Sequence, residues 1–141
     1  SIYDGQQEWV NLADELNYLN DYIALHKARY HKDIKIEFMH NVEPGVQVMP
    51  LLFIILLENA FKHGVENLRG GAFIRMFLSG NQQEIVFSIE NNFDPEEVGK
   101  KGGIGLQNVE KRLQFAYPNR HSFTYSAEDT IFKAQLTLKA P

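Results

Sequence analysis

The segment MPLLFIILLENAFKHG, residues 49–64, constrains the fold more than any other part of the chain. Its first nine residues are apolar, a run too short to cross a bilayer but well suited to a helix buried in a core. Pro50 is predicted in the first turn of this helix, where proline is accepted, and Gly64 is predicted to end it. The rest of the chain must therefore supply elements that cover this helix on nearly every side.

The hydrophobic patterns before and after this segment predict those elements. Apolar residues at helical spacing predict further helices over about residues 12–30 and 105–117. Alternating apolar residues predict strands, the last four of them as two hairpins, at 34–40, 72–79, 84–91, 121–128 and 130–139. The order α-β-α-β-β-α-β-β predicts an α/β (α+β) two-layer sandwich, with helices on one face of a mixed, mostly antiparallel sheet.

The composition excludes several kinds of protein. The chain has 141 residues, which suits one domain, and its formal net charge of −4 argues against a nucleic-acid partner held by broad positive charge. It has no cysteine, so disulfide scaffolds, thiol catalysis and cysteine-bound metals are excluded. Ser1 is not a natural start, and we therefore expect the chain to be part of a longer protein.

The apolar helix is predicted to end in a polar arc. On a helical wheel, four polar residues fall within about 140° of one another: Glu58, Asn59, Lys62 and His63. Ile55 and Leu56 are expected on the same arc one turn earlier, which would give a pocket with an apolar floor and a polar mouth. A purely structural role is equally open, because basic residues suit a helix C-terminus and Glu58 can pair with Lys62.

The segment KKGGIGLQNV, residues 100–109, has the features of a phosphate site. Glycines allow backbone to approach a ligand closely, and the helix that follows presents unpaired N–H groups and a positive dipole end. Lys100 and Lys101 add positive charge. A tight turn from a loop into a helix uses the same residues, so this segment taken alone is weak evidence.

The segment IENNFDP, residues 89–95, ends a predicted strand with two amides. Asn91 and Asn92 could read the edge of a base through hydrogen bonds. They could equally form an ordinary turn. The polar helix end, the strand-end amides and the glycine loop follow one another on alternating elements, and together they predict a nucleotide site.

Four segments of the chain resemble a known family. ENAFKH resembles the N box of the ATP-binding domain shared by gyrase, heat-shock chaperone, histidine kinase and MutL proteins, the GHKL proteins with the Bergerat fold. GGIGLQNVEKRL resembles the second glycine box of LytS-type sensor histidine kinases. Residues 8–30 resemble the segment that joins their phosphoacceptor domain to the catalytic domain, and DTIFKAQLTLKAP resembles their closing hairpin. The likeness covers nearly the whole chain.

The resemblance implies a role for each site residue. Glu58 would be catalytic and polarise the attacking group or a water, while Asn59 would ligate the Mg²⁺ that bridges the ATP phosphates. The other ATP-binding residues would be Lys62, His63, Asn91, Lys101, Gly102, Gly103, Ile104, Gly105, Leu106 and Thr130. Of these, Lys62 and His63 would face the phosphates, Asn91 and Thr130 the adenine. The glycine backbone would wrap the phosphate chain, with residues 94–102 as a short lid.

The resemblance also implies partners and a location. The γ-phosphoryl group of ATP would pass to a histidine on an upstream helical phosphoacceptor domain, within a homodimer, and then to a response regulator. None of the five histidines has the context of that phosphoacceptor, and His26 is expected at the surface. Residues 1–32 would be the linker and helix that follow the phosphoacceptor domain, and residues 33–141 the catalytic domain. The domain would be cytoplasmic in an inner-membrane sensor, reaching the membrane only through upstream segments.

One segment departs from the family pattern and leaves alternatives open. The first glycine box of the wider family reads Asp-x-Gly-x-Gly, and NNFDP stands in its place. Asn91 thus replaces the aspartate that reads adenine, although an amide oxygen can still accept from the adenine amino group. A non-catalytic nucleotide-sensing or docking module is one alternative. A GHKL ATPase or serine kinase is another, and in it Glu58 would activate a water for hydrolysis.

Overall fold

The computed structural model describes residues 8–97 and 104–141. Three α-helices lie in this part of the chain: α1 (Leu12–Arg29), α2 (Leu52–His63) and α3 (Ile104–Ala116). The strands are β1 (Val10–Asn11), β2 (Ile34–Val42), β3 (Gln47–Val48), β4 (Ala72–Gly80), β5 (Glu84–Asn92), β6 (His121–Glu128) and β7 (Ile131–Lys139). Short 3₁₀ turns follow α2 at Val65–Asn67 and β5 at Pro95–Glu97.

Five strands form one sheet in the order β2-β4-β5-β7-β6. Strands β2 and β4 are parallel, and the other three pairs are antiparallel. Burial alternates along β5, where Ile85, Phe87 and Ile89 are buried on the face that the helices cover. The predicted two-layer sandwich with a mixed, mostly antiparallel sheet is confirmed.

The start of α2 differs from the sequence prediction. Pro50 lies outside the helix, which begins at Leu52, and Leu51 between them has a φ of 70°. A left-handed residue breaks the right-handed path of the chain, so the helix cannot extend back to the proline. The expectation that Pro50 occupies the first turn is therefore wrong.

A second, two-stranded sheet was not predicted. Strands β1 and β3 pair antiparallel over two residues each, with Val10 opposite Val48. The N–H of Leu12 donates to the carbonyl of Val46 at 2.8 Å and extends this contact to the start of α1. Strands of two residues are too short to produce a periodic pattern, and the sequence gives no signal for them.

Helix α1 packs into the same core as α2. Leu12 and Leu19 are 0% and 1% exposed and belong to one cluster with the apolar residues of α2 and the sheet. The division of the chain at residue 32 into a linker and a catalytic domain stays a prediction. None of the helices in the described part of the chain has both the length and the apolar character needed to cross a membrane.

One carboxyl group is buried between α1 and α2. Glu15 is 8% exposed, and its Oε1 accepts a hydrogen bond of 2.9 Å from the N–H of Leu51. Burial raises the pKa of Glu15, and the hydrogen bond from Leu51 opposes that increase. The folded state therefore holds the proton of Glu15 more tightly than the unfolded chain does.

This raised pKa predicts a pH dependence of stability. The contribution of protonated Glu15 is fully present below its ordinary pKa of 4.5 and is lost as pH rises through the raised value, because the folded state binds more protons in that window. The Glu15→Gln variant cannot ionise there. We expect its free energy of unfolding, relative to the unmodified chain, to increase from about pH 4 towards about pH 7 in urea titrations. A difference that stays constant with pH would contradict this prediction.

Candidate functional site

The polar end of α2 is accessible, as predicted. Glu58 and Lys62 are exposed and Asn59 and His63 are half-buried, whereas the intervening Ala60 and Phe61 are buried in the core. One turn earlier, Ile55 is half-buried but Leu56 is only 2% exposed. Leu56 therefore belongs to the core, and its expected place on the polar arc is wrong.

The C-terminus of α2 meets the end of β5 at Gly64. A Cβ atom added to Gly64 would lie 2.6 Å from Ala60 O, 2.6 Å from Asn91 Nδ2 and 2.7 Å from Asn92 O. These distances are shorter than any non-bonded contact of a carbon atom, so the approach of the helix to the strand requires glycine. The structure thus brings ENAFKH and IENN together.

The close contact at Gly64 predicts a large effect of one methyl group. We expect Gly64→Ala to lower the free energy of unfolding by about 1–3 kcal/mol, because helix and strand must separate to admit the Cβ. Gly70→Ala is a matched control, since an added Cβ there meets no atom within 4 Å. Urea unfolding of both variants measures the difference. Equal stabilities of the two variants would show that the contact is not tight.

Asn91 is a buried amide whose oxygen has no donor within the described residues. Its side chain is 2% exposed, and Nδ2 donates to the carbonyl of Asn92 at 2.9 Å. No donor among the described residues reaches its Oδ1. Buried polar atoms are seldom left without a partner, and an unused buried acceptor beside the polar end of α2 is what a ligand-binding amide requires.

The neighbouring amide has a structural role. Asn92 Oδ1 accepts from the N–H of Phe73 at 2.9 Å, and its Nδ2 donates to the carbonyl of Gly71 at 2.9 Å. Both asparagines lie within β5, and the side chain that forms the turn after it is Asp94, whose Oδ1 accepts from Glu96 N at 3.0 Å. The turn alternative for Asn91 and Asn92 is therefore wrong, and Asn92 is not available to a base.

Thr130 lies at the same end of the sheet as Asn91. It follows the left-handed Asp129 in the turn between β6 and β7, and its carbonyl accepts from Phe93 N at 2.9 Å. In the antiparallel pair of β5 and β7, Phe132 lies opposite Asn91. The side chain of Thr130 is exposed beside the end of β5.

The first turn of α3 packs against α2. A Cβ added to Gly105 would lie 3.5 Å from Ile55 Cγ2, one turn before Asn59 on α2. Leu106 is 8% exposed and belongs to the core. Ile104 is the first residue of α3, and its side chain is outside the described set. Lys100, Lys101, Gly102 and Gly103 also lie outside the described residues, as does most of the predicted lid.

Glu58 acts electrostatically on α1. Burial raises the pKa of Tyr22 to about 12, and the negative charge of Glu58 adds to the increase. Burial lowers the pKa of His26, an effect that Arg29 reinforces and Glu58 opposes. The carboxylate of Glu58 therefore acts on two α1 side chains.

The sequence analysis missed the involvement of α1. Tyr22 and His26 stack with ring centroids 3.8 Å apart, and each lies 5.6 Å from the ring of Phe61 on α2. His26 is half-buried, so its expected place at the surface is wrong. The available signal was the spacing of four residues between the two rings, which places them on one face of a helix.

Two surface grooves lie away from these residues. One, of about 510 Å³, includes Trp9, Tyr117 and Arg120 in its lining, and another, of about 570 Å³, lies on the open face of the sheet beside Phe77 and Tyr125. Neither is lined by the polar end of α2. No group of three or more acidic, histidine or cysteine side chains in the described residues could hold a metal ion.

Comparison with known proteins gives matches to sensor kinases, while no model of a protein family matches the chain. The sensor histidine kinase BtsS of Escherichia coli K12 is 27% identical over 138 residues, which cover 95% of this chain and 24% of BtsS. The sensor histidine kinase/phosphatase LytS of Staphylococcus aureus MRSA252 is 28% identical over 131 residues, covering 81% of this chain and 22% of LytS. The chain thus spans about a quarter of the length of these relatives.

Solved structures with the same fold are catalytic domains of histidine kinases. The nucleotide-free catalytic domain of ThkA matches with a TM-score of 0.59 and 12% identity over 94% of both chains. ThkA in complex with the response regulator TrrA matches with a TM-score of 0.60 and 13% identity, over 94% of this chain and 41% of that one. The predicted fold and the resemblance to LytS-type sensor kinases are confirmed.

Proposed function

We propose that the chain is the ATP-binding catalytic domain of a LytS-type sensor histidine kinase, with its nucleotide site at the C-terminal half of α2. The observation that carries the proposal is the meeting of three motifs. At Gly64, the close approach of α2 to β5 places Asn91 beside the end of the segment ENAFKH. Ile55 on α2 lies against the first turn of α3, the helix that begins within the segment GIGL. The sequence relatives and the catalytic-domain fold support the same assignment.

Adenine would bind beside the end of β5. Asn91 Oδ1 is a buried acceptor with no donor among the described residues, and it suits the exocyclic amino group of adenine. Gly64 packs directly against this amide, and a Cβ atom at position 64 would displace it. The exposed Thr130 borders the same end of the sheet and would contact the base from the turn before β7.

The phosphates would lie between α2 and the start of α3. The N-terminus of α3 offers unpaired N–H groups, and Lys62 and His63 supply donors from the opposite side. Asn59 would hold Mg²⁺ through its amide oxygen, which fits an ion that keeps several waters and binds few protein groups besides phosphate. When bound, the ion would neutralise phosphate charge. Lys101, Gly102 and Gly103 remain predicted contacts of the phosphate chain.

Glu58 would complete the site from the α1 side. Phosphoryl transfer depends mainly on positioning and charge neutralisation, and a carboxylate is needed only to orient or deprotonate the attacking group. Glu58 is exposed and acts electrostatically on Tyr22 and His26, so an incoming histidine could reach it along α1. Its role as the catalytic carboxylate is part of the proposal.

The activity of the whole protein requires parts beyond this chain. The phosphoryl acceptor would be a histidine on an upstream helical domain within a homodimer, and a response regulator would then receive the phosphoryl group. The ThkA structure with a response regulator supports the second partner by analogy. The domain would face the cytoplasm, with membrane attachment through upstream segments.

Phosphorylation of the full-length protein tests this function. The longer protein is supplied with γ-labelled ATP and Mg²⁺, and acid-labile label is measured on the unmodified chain and on Asn59→Asp. We expect label on the unmodified protein alone. Release of free phosphate without protein label would favour an ATPase, and label stable to acid would favour a serine kinase.

A nucleotide-sensing module without transfer is the second candidate. NNFDP lacks both glycines of the first glycine box, and Asn92 and Asp94 are engaged in hydrogen bonds with backbone. This segment is therefore more rigidly held than a glycine-rich loop. Tight binding of ATP by a full-length protein that acquires no label would favour this candidate.

A further inference from the structure

Helix α2 begins without a capping group of its own. Leu51 occupies the N-cap with a left-handed φ of 70°, and the first turn contains no acidic residue. The left-handed region is unfavourable for a leucine, so another contact must hold it. That contact comes from α1, where Glu15 Oε1 accepts from the N–H of Leu51 at 2.9 Å.

The turn that follows the C-terminus of α2 is held by an ammonium group. Lys32 Nζ donates to the carbonyls of Val65, Glu66 and Leu68 at 2.7, 3.2 and 2.6 Å. Val65 is 1% exposed and directly follows Gly64, the residue that packs on Asn91. Lys32 thus fixes the turn through which α2 reaches the strand end.

The two groups bind backbone on either side of the helix. Glu15 accepts from the N–H of the residue just before α2, and Lys32 donates to carbonyls of the turn just after it. Both groups come from α1 or the residues just after it, and each bond joins residues more than thirty positions apart in sequence. Together Glu15 and Lys32 connect α1 to both ends of the helix that carries Asn59.

We propose that Glu15 and Lys32 are positioning residues that hold α2 at both ends and thereby set the affinity of the nucleotide site. The inference rests on the proposed function. A helix moves as a unit, so release of either end displaces Asn59 relative to Asn91 and the start of α3. Displacement of about 1 Å is enough to weaken a site made by groups on different elements.

Affinity, rather than stability alone, distinguishes positioning from a purely structural role. A structural bond lowers the unfolding midpoint but leaves the fully folded protein with the same dissociation constant. A positioning bond changes the dissociation constant of protein that is still folded. Glu15→Gln keeps an oxygen acceptor for Leu51 N–H, so it should restore what Glu15→Ala loses.

The experiment is calorimetry of a non-hydrolysable ATP analogue with Mg²⁺ on the 141-residue chain, at a temperature where circular dichroism shows each variant folded. We expect Glu15→Ala and Lys32→Met each to weaken binding about tenfold, as loss of a supporting contact does. Glu15→Gln should bind within about twofold of the unmodified chain. Asp21→Ala, exposed on α1, and Lys35→Met, exposed on β2, are charge-matched controls expected within the same range.

The outcomes separate this inference from the proposed function. Tight binding by folded Glu15→Ala and Lys32→Met would overturn the positioning role and leave the nucleotide site intact. Failure of the folded, unmodified chain to bind would overturn both. If the larger changes prevent folding, two milder variants replace them: Glu15→Asp draws the carboxyl group back by one methylene, and Lys32→Gln replaces the ammonium with an amide donor on a shorter side chain. Unchanged affinity in both of these would also overturn the inference.

Discussion

The Asn59→Ala variant is expected to bind a non-hydrolysable ATP analogue with Mg²⁺ about 10- to 100-fold more weakly than the unmodified chain. Asn59 is half-buried on the face of α2 that leads towards the first turn of α3, and its amide is the proposed protein ligand of the ion. Loss of the amide oxygen leaves Mg²⁺ held by phosphate and water alone. Calorimetric titrations with and without Mg²⁺ measure the effect.

The magnesium dependence makes this prediction specific. Without Mg²⁺ the two chains should bind the analogue with similar affinity, because Asn59 acts through the ion. Asn20→Ala, on the exposed surface of α1, is the control and should behave as the unmodified chain. An Asn59→Ala variant that retains the full effect of Mg²⁺ would exclude Asn59 as the ligand.

The Glu58→Gln variant is expected to bind the nucleotide normally and to transfer phosphate poorly. A general base contributes about 10²- to 10⁴-fold to a rate, so the initial rate of labelling of the full-length protein should fall within that range. Binding should change little, because the carboxylate of Glu58 acts electrostatically on Tyr22 and His26 of α1 and is not among the proposed contacts of the nucleotide. Calorimetry and initial labelling rates on the same preparation give the two quantities.

The position of Glu58 makes the opposite result informative. If Glu58→Gln labels at the normal rate, the carboxylate serves only the contact with α1, and another group must orient the acceptor histidine. Glu110→Gln, exposed on α3, controls for the loss of one negative charge. A variant that loses binding and transfer together would place Glu58 at the phosphates.

The elements could be predicted because their patterns are long and local. Helix α2 is a run of apolar residues with a polar end, and β4, β5 and β7 alternate over nine residues each. The start of α2 could not be predicted, since it depends on a left-handed Leu51 held by Glu15 from another helix. Contacts between residues distant in sequence leave no periodic signal.

The site was predicted as a set of motifs, and the roles of its individual residues are less accessible from sequence. Nothing in IENN distinguishes Asn91, a buried amide whose oxygen has no donor in the described part of the chain, from Asn92, which bonds to β4. The difference follows from strand alternation, which turns Asn91 towards the helices, and from Gly64, which admits it. The spacing of Tyr22 and His26 was visible in the sequence, but their shared contact with Phe61 was not, because Phe61 lies on another helix.

Mapping the bound nucleotide by NMR tests the central claim most directly. A titration of the isotope-labelled chain with a non-hydrolysable ATP analogue and Mg²⁺ follows each backbone amide. We predict shifts of Asn59, Asn91 and Gly105, on three elements that meet only if the motifs form one site. Shifts confined to the groove beside Trp9 or to the open face of the sheet, or no shifts from a folded sample, would contradict it.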